Sequence, residues 1–94
     1  MYGDGPLVID SDRHVVTLDG QGVELSPTEF RLLAELARTP GRVRSYQELL
    51  HRVWGAEYVG ETDFLHVYVS RLRRKLRADL ITTERGFGYR FGSR

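Results

Sequence analysis

The last third of the chain places a basic segment, RLRRKLR at residues 71–77, shortly before ITTERGFGYRF at residues 81–91. The spacing of the first segment is helical, with an apolar face and an arginine-rich face. In the second, Gly86 and Gly88 separate two short β-prone runs, which is typical of a hairpin with a tight turn. A basic helix followed by such a hairpin can enter one groove of a DNA duplex and brace against the next. The sequence therefore predicts a DNA-binding module.

Composition limits the fold and the class of function. At 94 residues we expect one domain with a modest core, too small for a catalytic cleft between two subdomains. The absence of cysteine excludes disulfides and a zinc ribbon. No segment reaches the roughly 18 apolar residues of a membrane span, and the start has neither the basic flank nor the apolar run of a signal peptide. We expect a cytoplasmic protein.

The net charge of +1 hides an uneven distribution. Residues 1–60 hold six arginines and nine acidic residues, a net charge of −3, whereas residues 61–94 hold eight basic and four acidic residues, a net charge of +4. Lys75 is the single lysine. Arginine suits bidentate contacts to guanine and phosphate, although genomic base composition explains the arginines outside residues 71–85 equally well. The positive field is therefore local to the C-terminal third.

The N-terminal quarter predicts a small antiparallel sheet. Short β-prone runs at residues 7–10, 14–19 and 22–25 are separated by polar or glycine-rich residues, and Asp19-Gly20 is a typical hairpin turn. We interpret residues 1–5 as a linker or an expression remnant, and residues 6–94 as the folded domain.

Three helices are predicted after the sheet. Ser26, Pro27 and Glu29 form a capping box before an apolar helical pattern that should stop near residues 39–41. Residues 45–48 repeat this signal for a shorter helix that ends at Trp54-Gly55. A third helix should run from about residue 62 to residue 77. Two helices joined by a short loop, the second of them basic, form the helix-turn-helix pattern.

The third helix has two distinct faces when its residues are placed 100° apart. The buried stripe consists of Leu65, Val69, Leu72 and Leu76. The opposite side carries Val67, Ser70, Arg71 and Arg74, flanked by His66, Arg73 and Arg77.

Four motifs carry a resemblance to a known family: LSPTEFRLL at residues 25–33, GRVRSYQELLHRVWG at 41–55, VSRLRRKL at 69–76 and ITTERGFGYRF at 81–91. Through them the chain resembles the OmpR/PhoB family of winged-helix effector domains, the output modules of bacterial two-component response regulators. The motifs lie in the family's order and span most of the domain.

The resemblance implies an α+β fold, a winged helix-turn-helix with an N-terminal four-stranded antiparallel sheet, three helices and a C-terminal hairpin wing. It also implies sequence-specific binding of tandem copies to direct-repeat half-sites in double-stranded DNA, and control of transcription without a cofactor. Phosphorylation would occur on a separate receiver domain, for which this chain has no room. The loop that begins at Gly55 and ends at Gly60 would contact RNA polymerase, although its glycines, alanine and single acid suit an inert connector equally well.

Three positions differ from the family pattern. Asp63 stands where many members have an arginine near the start of the third helix, and an acid there would repel phosphate. Tyr68 stands where histidine is common. Glu84 replaces the usual apolar residue before the arginine of the wing.

The face of the third helix supplies the predicted base-reading residues. Arg71 and Arg74 are the leading candidates, because arginine to guanine is the commonest specific contact, and Val67 can meet a thymine methyl group. Ser70 joins this set, although it is also placed to meet a phosphate. The alternative for the arginines is a solvated helix face, and for Val67 a stray exposed side chain.

The remaining predicted contacts lie on both sides of this face. Arg85 should enter a narrow minor groove from the tip of the wing, or else is only solvated in its turn. Trp54 and Tyr89 match family positions that touch the DNA backbone, yet both are also natural core aromatics. The predicted backbone contacts are Trp54, Tyr68, Arg73, Arg77, Thr83 and Tyr89.

An enzyme is not expected. His14, His51 and His66 lie in three separate elements without metal-ligand spacing, and the sequence has no nucleophile elbow, phosphate loop or paired-carboxylate motif. His66 has a second interpretation as a pH-sensitive phosphate contact. The competing class is a winged helix that uses the face of Val67, Arg71 and Arg74 to bind an acidic protein. Its affinity would not scale with phosphate neutralisation.

Overall fold

The elements of the chain follow one another as strands, helices and a closing hairpin. The computed structural model describes residues 2–4 and 7–92. The elements are β1 (Tyr2–Asp4), β2 (Leu7–Asp10), β3 (Val15–Leu18), β4 (Gln21–Gly22), α1 (Pro27–Ala37), β5 (Val43–Ser45), α2 (Tyr46–Val53), α3 (Thr62–Lys75), β6 (Ile81–Glu84) and β7 (Gly88–Phe91). Single 3₁₀ turns lie at Ala56–Tyr58 and Ala78–Leu80.

The N-terminal sheet is an antiparallel meander in the order β1-β2-β3-β4. The two-residue connection between Leu18 and Gln21 places Asp19 at φ 54° and Gly20 at φ 81°. Both residues therefore lie in the left-handed region that a type I′ hairpin turn requires. The turn predicted at Asp19-Gly20 is confirmed.

Two predictions about this sheet need correction. Tyr2–Asp4, predicted to be linker, pair with Leu7–Ile9 and form the edge strand β1. Residues 1 and 5, the rest of that predicted linker, lie outside the described residues. The predicted strand at residues 22–25 is observed only at Gln21–Gly22, because the chain then turns away towards α1. Val23 still donates its amide to the carbonyl oxygen of Val16 (2.8 Å).

The capping prediction is confirmed in full at the start of α1 and in part at the start of α2. For α1, the hydroxyl oxygen of Ser26 accepts from the amide of Glu29 (3.2 Å), and the Glu29 carboxylate accepts from the amide of Ser26 (2.9 Å). For α2, Ser45 accepts from the amide of Glu48 (3.0 Å). The Glu48 carboxylate instead pairs with Arg44 (3.1 Å). The first helix therefore has a full capping box, and the second has its serine half.

The second sheet has the order β5-β7-β6 and includes a strand that the sequence did not predict. β5 pairs antiparallel with β7, and β6 and β7 form the predicted hairpin. A Cβ atom on Gly88 would lie 1.8 Å from the carbonyl oxygen of Arg44. Only glycine therefore permits the close approach of β5 to the wing.

The hydrophobic core lies between the three helices and the second sheet, and β2 and β3 add Leu7, Ile9 and Val16 to it. The predicted stripe on α3, Leu65, Val69, Leu72 and Leu76, is buried. α3 ends at Lys75, two residues before the predicted end at residue 77. The architecture is the predicted α+β winged helix-turn-helix, in which the core fixes one face of α3 and leaves the other free.

Candidate DNA-binding surface

The face of α3 opposite the buried stripe is exposed. It carries the four residues that the helical spacing placed there, Val67, Ser70, Arg71 and Arg74. The apolar side chain of Val67 is 47% exposed. Their exposure is therefore as predicted. We call these four residues the α3 face.

The basic residues of α3 differ in how the protein holds them. Within the described residues, neither Arg71 nor Arg74 makes a hydrogen bond or an ion pair. The guanidinium carbon of Arg71 lies 4.9 Å from the centre of the Tyr68 ring. Lys75, by contrast, pairs with Glu29 (2.7 Å) and donates to the carbonyl oxygen of Glu24 (3.1 Å). Two of these three cations are therefore available to a ligand.

Lys75 also explains the ionisation of Glu29. Burial alone would raise the pKa of this carboxyl, but the hydrogen bonds from Lys75 and from the Ser26 amide outweigh it and lower the pKa below its usual 4.5. Glu29 is therefore charged at neutral pH. Its ion-pair partner is Lys75, and the charge of Arg71 lowers its pKa further.

Arg73 joins α3 to the wing. Its Nε and Nη2 atoms donate to the carbonyl oxygen of Ile81 (3.1 and 2.6 Å), and Nη2 also donates to the Thr83 hydroxyl (2.7 Å). Its guanidinium carbon lies 5.6 Å from the centre of the Tyr89 ring. Arg73 and Thr83, both predicted to contact phosphates, are thus engaged with each other.

Tyr89 completes this junction from the inside. The residue is only 4% exposed, and its hydroxyl shares a hydrogen bond with Nδ1 of His66 on α3. Burial raises the pKa of Tyr89 despite the nearby charge of Arg73, so the phenol is neutral at physiological pH. Its burial agrees with the alternative that Tyr89 is a core aromatic. The pairing with His66 joins two distant elements, so no local sequence pattern could have revealed it.

The turn of the wing presents two exposed side chains, Arg85 and Phe87. Gly86 adopts φ 72°, the Phe87 amide donates to the carbonyl oxygen of Glu84 (2.9 Å), and the Tyr46 amide donates to that of Phe87 (3.2 Å). Phe87 is 69% exposed. Glu84 pairs with Arg90 (3.2 Å), so the acid beside Arg85 is already neutralised. Among the described residues, Arg85 has no hydrogen bond or ion pair.

Four aromatic rings line the other side of α3, and we call them the aromatic cluster: Trp54, Tyr58, Phe64 and Tyr68. Trp54 lies 5.7 Å from Phe64 and 5.2 Å from Tyr68, and Tyr58 stacks on Phe64 at 6.0 Å. Trp54 is half-buried and packs against the core, as its core alternative expects. The cluster connects the loop of residues 55–60 to α3, a link that the sequence did not predict.

Two further charged residues flank α3. Asp63, near its start, is exposed. Beyond its end, Arg77 donates to both carboxylate oxygens of Asp79 (3.1 and 2.9 Å), and these hydrogen bonds lower the pKa of Asp79. Arg77, predicted to contact the DNA backbone, therefore already carries a carboxylate partner.

The described ranges hold neither a membrane-spanning helix nor a metal-binding group. No helix among residues 2–4 and 7–92 is long and apolar enough to cross a membrane. In the same ranges, no group of three or more histidine, aspartate or glutamate side chains could hold a metal ion.

The amino-acid sequence matches that of a known family, in agreement with the fold. The family profile described as "Transcriptional regulatory protein, C terminal" matches residues 20–91. The chain belongs to this family. The matched residues include both helices of the helix-turn-helix and the whole wing. The resemblance to OmpR/PhoB effector domains is confirmed.

Relatives in this family are sensory and regulatory proteins. RegX3 of Mycobacterium leprae, a sensory transduction protein, is 46% identical over 94 residues, which cover 95% of this chain and 48% of the relative. CseB of Streptomyces avermitilis, a transcriptional regulatory protein, is 48% identical over 86 residues, covering 92% of this chain and 37% of the relative. The chain thus spans less than half the length of these relatives.

Solved structures share the fold over the whole chain. The RstA DNA-binding domain of Klebsiella pneumoniae, in complex with the RstA box, superposes with a TM-score of 0.88 at 34% identity, covering 99% of this chain and 97% of that chain. The DNA-binding domain of CpxR from E. coli gives a TM-score of 0.86 at 36% identity, with coverages of 98% and 95%.

Proposed function

We propose that the chain binds double-stranded DNA sequence-specifically as the output domain of a two-component response regulator and thereby controls transcription. The observation that carries this proposal is the α3 face, where Arg71 and Arg74 are exposed and make no hydrogen bond or ion pair with the described residues. The likeness to the RstA domain, which was solved with the RstA box, supports it.

The dimensions of a duplex explain how such a surface would bind. A major groove about 12 Å wide admits an α-helix, so α3 would enter it with the α3 face against the base edges. The wing projects from the side of α3 that bears Arg73. From there Arg85 would reach an adjacent minor groove, whose negative potential is greatest where it is narrow.

The charges divide into two groups under this proposal. Arg73, Lys75, Arg77 and Arg90 have partners within the protein. Arg71 and Arg74 would read bases, with Val67 and Ser70 beside them. Trp54 and Arg77 remain proposed backbone contacts, whereas the contacts of Arg73, Thr83 and Tyr89 favour a role in holding the wing.

Further partners follow from the family rather than from this surface. A receiver domain, a second copy on a direct repeat and RNA polymerase are each proposed. For polymerase, the loop of residues 55–60 offers Tyr58 and Val59, which are both exposed. Glu57 in the same loop is also exposed and would suit a basic partner.

A selection experiment tests the proposal. Duplexes bound by the chain are selected from a randomised pool, and affinity for the selected duplex and for a random duplex is measured at several salt concentrations. If about five phosphates are contacted, log K should fall with log salt with a slope near −4 to −5. A flat response, or no enrichment of any sequence, would favour a protein partner for the α3 face.

One variant separates base reading from phosphate binding. Replacing Arg71 with alanine should cost about 1–3 kcal/mol of binding free energy on the selected duplex, and much less on a random one. An equal loss on both duplexes would reassign Arg71 to the phosphate backbone.

A further inference from the structure

The position of Tyr68 relative to Arg71 distinguishes it from an ordinary surface tyrosine. The two residues lie three apart on α3, close to one turn, where side chains on a helix surface are neighbours. The guanidinium carbon of Arg71 sits 4.9 Å from the ring centre of Tyr68, within the distance of a cation–π contact. Across the described residues, Arg71 makes no hydrogen bond or ion pair. The ring is therefore the contact that orients this arginine.

The ring of Tyr68 is itself held in place. Trp54 meets it at 5.2 Å with an interplanar angle of 65°, and Phe64 meets it at 6.0 Å with an angle of 67°. Both are edge-to-face arrangements, which aromatic pairs favour. Tyr68 also packs against the hydrophobic core. Because Trp54 and Phe64 hold the ring of Tyr68, its contact with Arg71 restricts the conformations of the arginine side chain.

No carboxylate among the described residues forms an ion pair with Arg71, although the charge of Glu29 attracts it from a distance. Glu29 lines the same open groove as Arg71, Arg74 and Lys75. Its carboxylate already binds Lys75 at 2.7 Å, and it accepts the Ser26 amide at 2.9 Å. Among the described residues, the direct contact of the Arg71 guanidinium is therefore the ring of Tyr68.

We propose that Tyr68 is a positioning residue whose ring pre-orients Arg71 for one base pair and so sets specificity there. The inference rests on the proposed function and assigns Tyr68 a different role from the phosphate contact that the sequence predicted. A side chain already ordered in the free protein loses less conformational freedom when it binds. The gain applies only where Arg71 makes its contact, so it changes preference at that base pair and not general affinity.

Two variants separate the ring from the hydroxyl. Tyr68→Phe keeps the aromatic face and removes the hydroxyl, whereas Tyr68→Leu keeps apolar bulk against Trp54 and removes the aromatic face. Tyr58→Leu is the matched control, because Tyr58 belongs to the same aromatic cluster through its stack on Phe64. Each variant is titrated with the selected duplex, with a random duplex, and with the selected duplex changed at the base pair where Arg71→Ala loses discrimination.

The expected result is a loss confined to one position. Tyr68→Leu should reduce discrimination at that base pair about 2–5-fold, the size of an exposed cation–π contact, and leave binding to the random duplex unchanged. Tyr68→Phe and Tyr58→Leu should retain the discrimination. In an Arg71→Ala background, Tyr68→Leu should have no further effect on it, because the ring acts through that arginine.

Other outcomes overturn the proposal. If Tyr68→Phe weakens every duplex equally, the hydroxyl binds a phosphate. If Tyr68→Leu leaves the base preference intact, the ring does not position Arg71.

A measurement without DNA distinguishes this proposal from the function on which it rests. In the free chain, the ring current of Tyr68 should shift the NMR signals of the Arg71 side chain, and the shift should persist in Tyr68→Phe and vanish in Tyr68→Leu. If the shift behaves in this way but no duplex is selected by the wild-type chain, the proposed function fails while the contact stands. If the shift is absent from the wild-type chain, the positioning role fails whatever the chain binds.

Discussion

Arg44 is a single buried cation that ties three segments of the fold together. It is 4% exposed, and it pairs with Glu35 (2.6 Å) and Glu48 (3.1 Å). It also donates to the Thr39 hydroxyl (3.0 Å) and to the carbonyl oxygen of Glu35 (2.9 Å). Its donors are thus satisfied in a place where an unpaired charge would be costly.

Replacing Arg44 should therefore be far more harmful than replacing a neighbour on the same carboxylate. Arg44→Met leaves Glu35 without its buried partner, and we expect the free energy of unfolding to fall by about 3 kcal/mol or more. Arg38 meets Glu35 at 3.3 Å with 61% of its side chain exposed. Arg38→Met should cost less than about 1 kcal/mol. Urea denaturation of both variants would measure the difference, and similar losses would show that Arg44 behaves as a surface ion.

Glu35 gives this cluster a pH dependence. Burial would raise the pKa of Glu35, but hydrogen bonds and charges from Arg44 and Arg52 outweigh it and lower the pKa below its usual 4.5. A carboxylate whose pKa is lower in the folded state stabilises the fold above its unfolded pKa, and this contribution is lost as pH falls through the folded pKa. The same sign holds for Glu29.

The free energy of unfolding should thus fall as the pH drops below about 4.5. In Glu35→Gln it should fall less steeply, because the substitution removes one of the titrating groups. Urea titrations at about pH 7, 5, 4 and 3 would compare the two proteins. Parallel curves would mean that Glu35 does not contribute to the acid sensitivity.

At the scale of single residues, the sequence predicted which side chains of one helix are exposed. It did not predict contacts between residues of two different elements. The exposure of Arg71 and Arg74 follows from helical spacing alone, and it is confirmed. The contacts of Arg44 with Glu35 and of His66 with Tyr89 join residues from separate elements. No local pattern encodes such contacts, because they depend on how the elements pack.

Among the elements, the joint between α3 and the wing matters most for the proposed function. Arg73 binds the backbone of β6 through the Ile81 carbonyl oxygen and the side chain of Thr83. Tyr89 of β7 binds His66 on α3. Both strands of the wing are thereby attached to α3. These attachments fix the position of Arg85 relative to the α3 face.

Removing Arg73 should loosen this joint without disturbing the rest of the fold. In Arg73→Met we expect faster amide hydrogen exchange in β6 and β7 and unchanged exchange in α1, because the lost hydrogen bonds hold only the wing. Arg74→Met is the matched control, because Arg74 lies one residue along and makes no hydrogen bond or ion pair with the described residues. It should leave exchange in β6, β7 and α1 unchanged. If exchange in the wing stays slow in Arg73→Met while the salt slope of DNA binding falls by about 1, Arg73 contacts a phosphate as the sequence predicted.

The elements themselves were predictable to different degrees. α1 and α2 carry their start signals in Ser26 and Ser45, whose caps are observed. β5 is three residues long, and its partner β7 is distant in the chain, so neither alternation nor a turn signal marks it. β1 was taken for linker for a similar reason, since its ladder with β2 rests on backbone pairing.

For the whole molecule, size and charge together suggest how two copies share a duplex. The chain measures 36 × 26 × 20 Å, and one turn of DNA is about 34–36 Å long. Two copies one turn apart can therefore lie side by side on the same face of the duplex. The positive residues are concentrated in the C-terminal third, so both copies would turn this part towards the DNA and away from solvent.

A direct repeat should therefore recruit two copies cooperatively. On a duplex with two selected half-sites in the same orientation, about 10–10.5 base pairs apart, we expect the second copy to bind more tightly than the first. Inserting about 5 base pairs places the second site on the opposite face of the duplex and should abolish the gain. Inverting one half-site replaces the head-to-tail contact by one between like surfaces and should abolish it too. Gel shift and native mass spectrometry would report the number of copies and their affinities. Equal cooperativity on direct and inverted sites would exclude a head-to-tail arrangement.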